Sequence, residues 1–117
     1  MNASPTFAIR SRALLPVVQG GMGVGISAHR LAGAVARAGA VGTIASVDLR
    51  HHHADLMQEA KHCRDRDVLN HLNLVALDRE IRAALDLAAG RGLVAVNVMK
   101  AVDAHAAYVR QACASGA

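Results

Sequence analysis

Pro16-Val17-Val18-Gln19-Gly20-Gly21-Met22-Gly23-Val24-Gly25 decides how the rest of the chain is read, because an apolar run breaks into a glycine cluster within it. Leu14 to Gln19 reads as a short buried strand, with Pro16 tolerable near its start and Gly20 and Gly21 ending it. Beyond the glycines, Ser27 is a good helix N-cap. Leu31, Ala34, Val35 and Ala38 then follow the i, i+3, i+4, i+7 spacing of one helical face, and Gly39 stands where that helix should stop. A glycine loop between strand and helix lets backbone N–H groups approach a ligand with no side chain in the way.

Working outward, Val41 to Ala45 is a second apolar run, β-branched at Val41, Thr43 and Ile44. A helical stretch over roughly 51–64 opens with three histidines and is interrupted by Arg64-Asp65-Arg66-Asp67. Leu77, Ile81, Ala84, Leu85 and Ala88 form another helical face, closed by Gly90 and Gly92. Leu93 to Val98 reads as a third strand, and Val102, Ala106, Val109 and Cys113 as the face of a last helix that stops at Gly116. The order strand, helix, strand, two helices, strand, helix calls for a parallel sheet with helical crossovers. Continuous apolar strands are expected to be buried on both faces. The chain stops at Ser115-Gly116-Ala117, where a further strand should begin, so the unit is expected to be cut off.

With 117 residues there is room for one small domain, and 53% hydrophobic residues exclude a disordered tail. Phe7 and Tyr108 are the only aromatic side chains, which is poor equipment for stacking on unpaired bases. The net charge of +4 comes from scattered arginines, which read as solvated helix surface, and no nucleic-acid partner is expected. Cys63 and Cys113 stand far apart and read as reduced thiols. No signal-peptide pattern follows Arg10 and Arg12, and no run approaches the ~18 apolar residues of a membrane span. The expectation is a cytoplasmic protein without a membrane partner.

The glycine loop admits more than one ligand chemistry. A dinucleotide turn of the G-x-G-x-x-G type, counted from Gly21, would put Ile26 at its third glycine, with Asp48 as the ribose acid. A Walker-type phosphate loop fails, because no Gly-Lys-Ser/Thr follows. A bare turn with no ligand stays open on spacing alone. His51, His52, His53, His62, Cys63 and His71 raise a metal site, but no pair in that segment has the i, i+4 spacing that puts two histidine ligands on one helical face, and no C-x-x-C is present. A surface helix without metal is expected there, with His29 and His105 isolated and exposed.

Pro16-Val17-Val18-Gln19-Gly20-Gly21-Met22-Gly23 resembles the N-terminal signature of the nitronate monooxygenase (2-nitropropane dioxygenase) family, which flavin-type enoyl-acyl carrier protein reductases share. The likeness continues through Leu31 to Gly39, Val41 to Ile44 and Val94 to Met99, and covers most of residues 14–115. It implies that residues 1–117 are the N-terminal third of an FMN-binding TIM (β/α)₈ barrel, its first three β/α units. The activity implied is FMN-dependent oxidation of alkyl nitronates with dioxygen. The alternatives are a flavin enoyl reductase using a nicotinamide cofactor, or a truncated barrel fragment without catalysis that self-associates through its sheet edges. By resemblance, Gly20, Gly21, Met22 and Gly23 lie along the flavin ring, Asn97 hydrogen-bonds a flavin edge, and Lys100 offsets anionic flavin or substrate. The family's catalytic histidine belongs to a later part of the barrel, and none of the seven histidines here takes that role.

Overall fold

Backbone pairing begins ahead of the glycine loop, in a hairpin that the sequence does not announce. The computed structural model describes residues 5–117, so residues 1–4 of the expected 1–117 domain lie outside it. β1 (Phe7–Ile9) and β2 (Arg12–Leu14) pair antiparallel around Arg10 and Ser11, both left-handed at φ 50° and 63°. Two left-handed central residues match the twist of a hairpin, but such turns are usually marked by Asn-Gly or Asp-Gly, and Arg-Ser carries no such mark. The Arg12 guanidinium donates to the Gly92 carbonyl at 2.6 Å and ties this hairpin to the turn just ahead of Leu93.

The expected strand over Leu14–Gln19 is corrected accordingly. Leu14 belongs to β2, and residues 17–19 meet the sheet only through a parallel bridge between Val18 and Val41. Gln19 N–H donates to the Val41 carbonyl at 2.9 Å, and Val41 N–H to the Val17 carbonyl at 3.1 Å. Val17 and Val18 are 54% and 62% exposed, not buried, because this segment is the outer edge of the sheet. β3 (Val41–Ala45) is central and β4 (Leu93–Asn97) runs parallel beside it, in register from Val41–Leu93 to Ala45–Asn97. Only β3 has neighbours on both sides, and it is the strand buried nearly throughout.

α1 (His29–Arg37) lies directly on this sheet. A Cβ on Gly42 would stand 1.9 Å from the Ala32 carbonyl oxygen, and one on Gly92 2.2 Å from that of Ala36. Helix backbone therefore touches strand backbone, and only glycine leaves the room. Two short elements follow where one helix over 51–64 was expected: a 3₁₀ turn (Leu49–His52) and α2 (Ala54–Glu59). The break falls at His53, whose extended φ and ψ cannot continue a helix.

α3 (Arg66–Ala88) starts well before Leu77. Asp65 caps it, its carboxylate accepting from the backbone N–H groups of Asp67 (2.9 Å) and Val68 (3.4 Å). Its expected face is present, with Leu77, Ile81, Ala84 and Ala88 buried, and Leu72 and Ala76 extend it. Gly33 of α1 sits against Leu87 and the Ala84 carbonyl, so the absence of a side chain at Gly33 lets the two helices approach. α4 (His105–Ser115) buries Tyr108, Ala112 and Ser115, while the expected face of Ala106, Val109 and Cys113 is exposed. Polar anchors set this rotation. The Ser115 hydroxyl donates to Asp78 at 2.6 Å and accepts from the Gln111 carboxamide at 3.0 Å. The whole is a mixed α/β fold of short strands, antiparallel in β1–β2 and parallel in β3–β4, with α1, α3 and α4 packed in succession. Among the described residues no helix is long and apolar enough to cross a membrane.

Gly42→Ala should destabilise the fold by about 3 kcal/mol, since backbone on both sides must move. Gly90→Ala is left-handed (φ 75°) but open, and should cost only about 1 kcal/mol. Urea unfolding of the two variants checks this, and equal losses would show that backbone contact is not what demands glycine at 42.

The Ser115 hydroxyl, and then the Arg82 guanidinium, hold the Asp78 carboxyl below the ordinary carboxylate range. A carboxyl with a depressed folded-state pKa stabilises the fold above its unfolded pKa, and that contribution is lost as pH falls through the folded value. Ser115→Ala should therefore flatten the loss of thermal stability on acidification below about pH 4. An unchanged acid slope would remove Asp78 from the account.

Candidate functional site

The glycine loop is anchored by the side chain that precedes it. The Gln19 carboxamide accepts from Thr43 N–H at 2.9 Å and donates to the Thr43 carbonyl at 3.2 Å and to the Ser27 hydroxyl at 2.9 Å. It also donates to the Gly20 carbonyl. The far end of the loop is held as firmly: Ser27 N–H donates to the Met22 carbonyl at 2.9 Å, and Ala45 N–H to the Ser27 carbonyl at 3.0 Å. Ser27 is fully buried, and its hydroxyl donates to the Thr43 carbonyl.

Ser27 is thus not the N-cap that the sequence proposed. The capping position is Ala28, with no side-chain cap, because the Ser27 hydroxyl is spent on β3. The first free N–H of α1, on His29, goes instead to the Glu80 carboxylate of α3 at 2.8 Å. A carboxylate at a helix N-terminus answers both the orphan donor and the helix dipole. The same Glu80 oxygen meets His29 Nδ1 at 2.6 Å, and the other lies 3.0 Å from His53 Nε2. Glu80 is 2% exposed. These contacts correct the reading of His29 as isolated and of His53 as surface. The two imidazoles face different oxygens of one carboxylate, and among the described residues no group of three or more His, Cys, Asp or Glu is arranged to hold a metal. A cavity of about 450 Å³ lies beside this cluster, lined by Gly25, Ile26, His29, His52, His53 and Glu80.

The residues singled out from the sequence come together in part. A Cβ on Gly21 would stand 2.8 Å from Asn97 Cβ and 3.5 Å from Thr43 Cγ2, so the loop packs against the last residue of β4. Neighbouring strand residues point to opposite faces, and Gly42 faces α1, so Thr43 places the loop on the face away from that helix. Gly23 rests on Val47, Met22 is exposed, and nothing lies within 4 Å of the space above Gly20. The Asn97 carbonyl is taken by Ser46, through its N–H at 3.2 Å and its hydroxyl at 2.8 Å. The Asn97 carboxamide makes no hydrogen bond among the described residues. Lys100 is exposed in the turn after β4, and no ion pair or hydrogen bond joins it to the loop among the described residues.

A second polar cluster lies past the ends of β3 and β4. Arg50 pairs with Asp48 at 2.5 Å and reaches the buried Asn73 at 3.3 Å, and burial pushes the Tyr108 hydroxyl above its ordinary range. Sequence reasoning missed Gln19, Glu80 and Asn73 as organising residues. Glu80 meets a partner 51 positions away, so no local spacing could reveal it. No protein-family model matches the chain, and comparison with curated proteins finds no match.

Glu80→Gln keeps the volume but turns an amide N–H toward donors. It should destabilise the fold by about 2–3 kcal/mol, the scale of leaving buried hydrogen-bonding groups unpaired. Thermal unfolding at neutral pH tests this, and a loss within the ~0.5 kcal/mol of ordinary surface changes would refute the latch.

Proposed function

We propose that the chain supplies the first three β/α units of an FMN-binding (β/α)₈ barrel in a cytoplasmic nitronate monooxygenase, which oxidises alkyl nitronates with dioxygen. The observation that carries this reading is the packing of Gly21, within the glycine loop, against Asn97 at the C-terminal end of the parallel pair. That end of a parallel sheet is where such folds bind ligands. Helices on one face and the loop on the other also suit a barrel, whose helices form the outer ring. Closure would pair the edge that leaves Val17 and Val18 in water.

The residues fit a flavin. Open space above Gly20 admits a flat ring, and Gly21 brings backbone against the Asn97 side chain without a Cβ between them. The Asn97 carboxamide is free to hydrogen-bond a ring edge, and exposed Met22 offers apolar contact. Lys100, in the next turn, offsets negative charge on the ring or on a nitronate. FMN, when bound, supplies the electron-transfer chemistry that none of these side chains can perform. The chain's own part is to position the ring and to aim preorganised donors where negative charge develops.

Gly20 is the clean probe, because a side chain there meets no protein atom, whereas one at Gly21 strikes Asn97 even without ligand. Gly20→Leu should leave the thermal midpoint unchanged and weaken FMN binding at least about tenfold, read by quenching of flavin fluorescence. A parent chain that leaves FMN fluorescence unchanged, or a variant that quenches it equally, overturns the reading.

A further inference from the structure

Gln19 faces the sheet twice. Its main chain closes the last backbone hydrogen bond to β3, at the Val41 carbonyl. Its side chain then takes the place of the next residue of the strand. A carboxamide carries the same acceptor and donor as a peptide group. Here the oxygen accepts from Thr43 N–H and the nitrogen donates to the Thr43 carbonyl. The ladder thus runs one step further on a side chain, and the main chain is released from the sheet at Gly20.

The same nitrogen donates to the Gly20 carbonyl, which is therefore turned back toward Gln19. In a trans peptide the C=O and the following N–H point in opposite directions. The Gly21 N–H is consequently turned away from the sheet, and it finds no acceptor among the described residues. Gly21 itself packs beside the Asn97 side chain, and a Cβ on Gly20 would meet nothing within 4 Å.

We propose that Gln19 is a positioning residue. Its carboxamide fixes the Gly20–Gly21 peptide so that the Gly21 N–H, beside Asn97, is presented to an electron-rich atom of a bound heteroaromatic ring. The identity of that ring rests on the flavin reading above; the peptide orientation belongs to the chain alone. A donor held in this way favours the ligand's more negative state, so the effect is larger for reduced than for oxidised flavin.

The test uses Gln19→Glu, which preserves length and the acceptor for Thr43 N–H but cannot donate to Gly20. Gln19→Met, of similar length and uncharged, serves should the charged variant fail to fold. Without flavin, the Gly21 amide resonance should shift in the variant, while those of Leu77 and Ile81, on α3, stay in place. With flavin, the parent chain should bind reduced FMN more tightly than oxidised FMN, and the variant should lose that preference about tenfold. A Gly21 resonance that does not move overturns the proposal, and so does an unchanged ratio of affinities. A parent chain that binds neither form overturns the flavin reading, and the amide resonance then still decides whether Gln19 holds the peptide.

Discussion

Helix backbone resting on strand backbone is the contact around which this molecule is arranged. Gly42 in β3 and Gly92 ahead of β4 let α1 approach until the Ala32 and Ala36 carbonyls lie where side chains would stand. Glycine inside a strand costs about 0.5–1 kcal/mol relative to alanine, so its presence at the centre of β3 needs a return. The return is proximity. With α1 this close, Ser27, just ahead of the helix, bonds both ends of the neighbouring strand segment, accepting from Ala45 N–H and donating to the Thr43 carbonyl. The glycine loop is then braced between strand and helix.

That bracing creates a deficit, and α3 meets it. Once the Ser27 hydroxyl is committed to β3, the start of α1 has no local cap. Glu80 supplies one from across the fold and is itself held by two imidazoles. Burying a carboxylate is costly unless its lone pairs are used, and this one accepts from His29 N–H and bonds His29 Nδ1. α3 carries Asn73 and Asp78 as well, each joined to another element. This accounts for polar residues on several sides of a helix that is enclosed by α1, α4 and the 3₁₀ turn.

The two faces of the sheet consequently differ in kind. The face toward α1 is filled by the side chains of Ile44, Ala32 and Ala36, all fully buried. The opposite face carries the glycine loop, Thr43 and Asn97, with open space above Gly20. Rigid support behind an open, donor-rich surface is the arrangement that ligand sites on parallel sheets use. The pairing of these two faces, more than the glycine content itself, makes the loop a candidate site.

What the sequence determined is what nearest-neighbour chemistry decides. Runs of apolar residues placed β3 and β4, the period of Leu77, Ile81, Ala84 and Ala88 placed the buried face of α3, and Gly39 and Gly116 stood where helices stop. The motif resemblance singled out Gly20–Gly23 and Asn97 as candidates, and of these the structure packs Gly21 beside Asn97. Tertiary structure decided the rest, because the competing energies were between distant groups. Ser27 could cap its own helix or bond β3, and burial under α1 selected β3. Val109 could face the core by its period, but burying Tyr108 and anchoring Ser115 to Asp78 turned α4 the other way. Val17 and Val18 have the apolar character of a buried strand and lie in water, since burial depends on a neighbouring strand and not on the residues themselves.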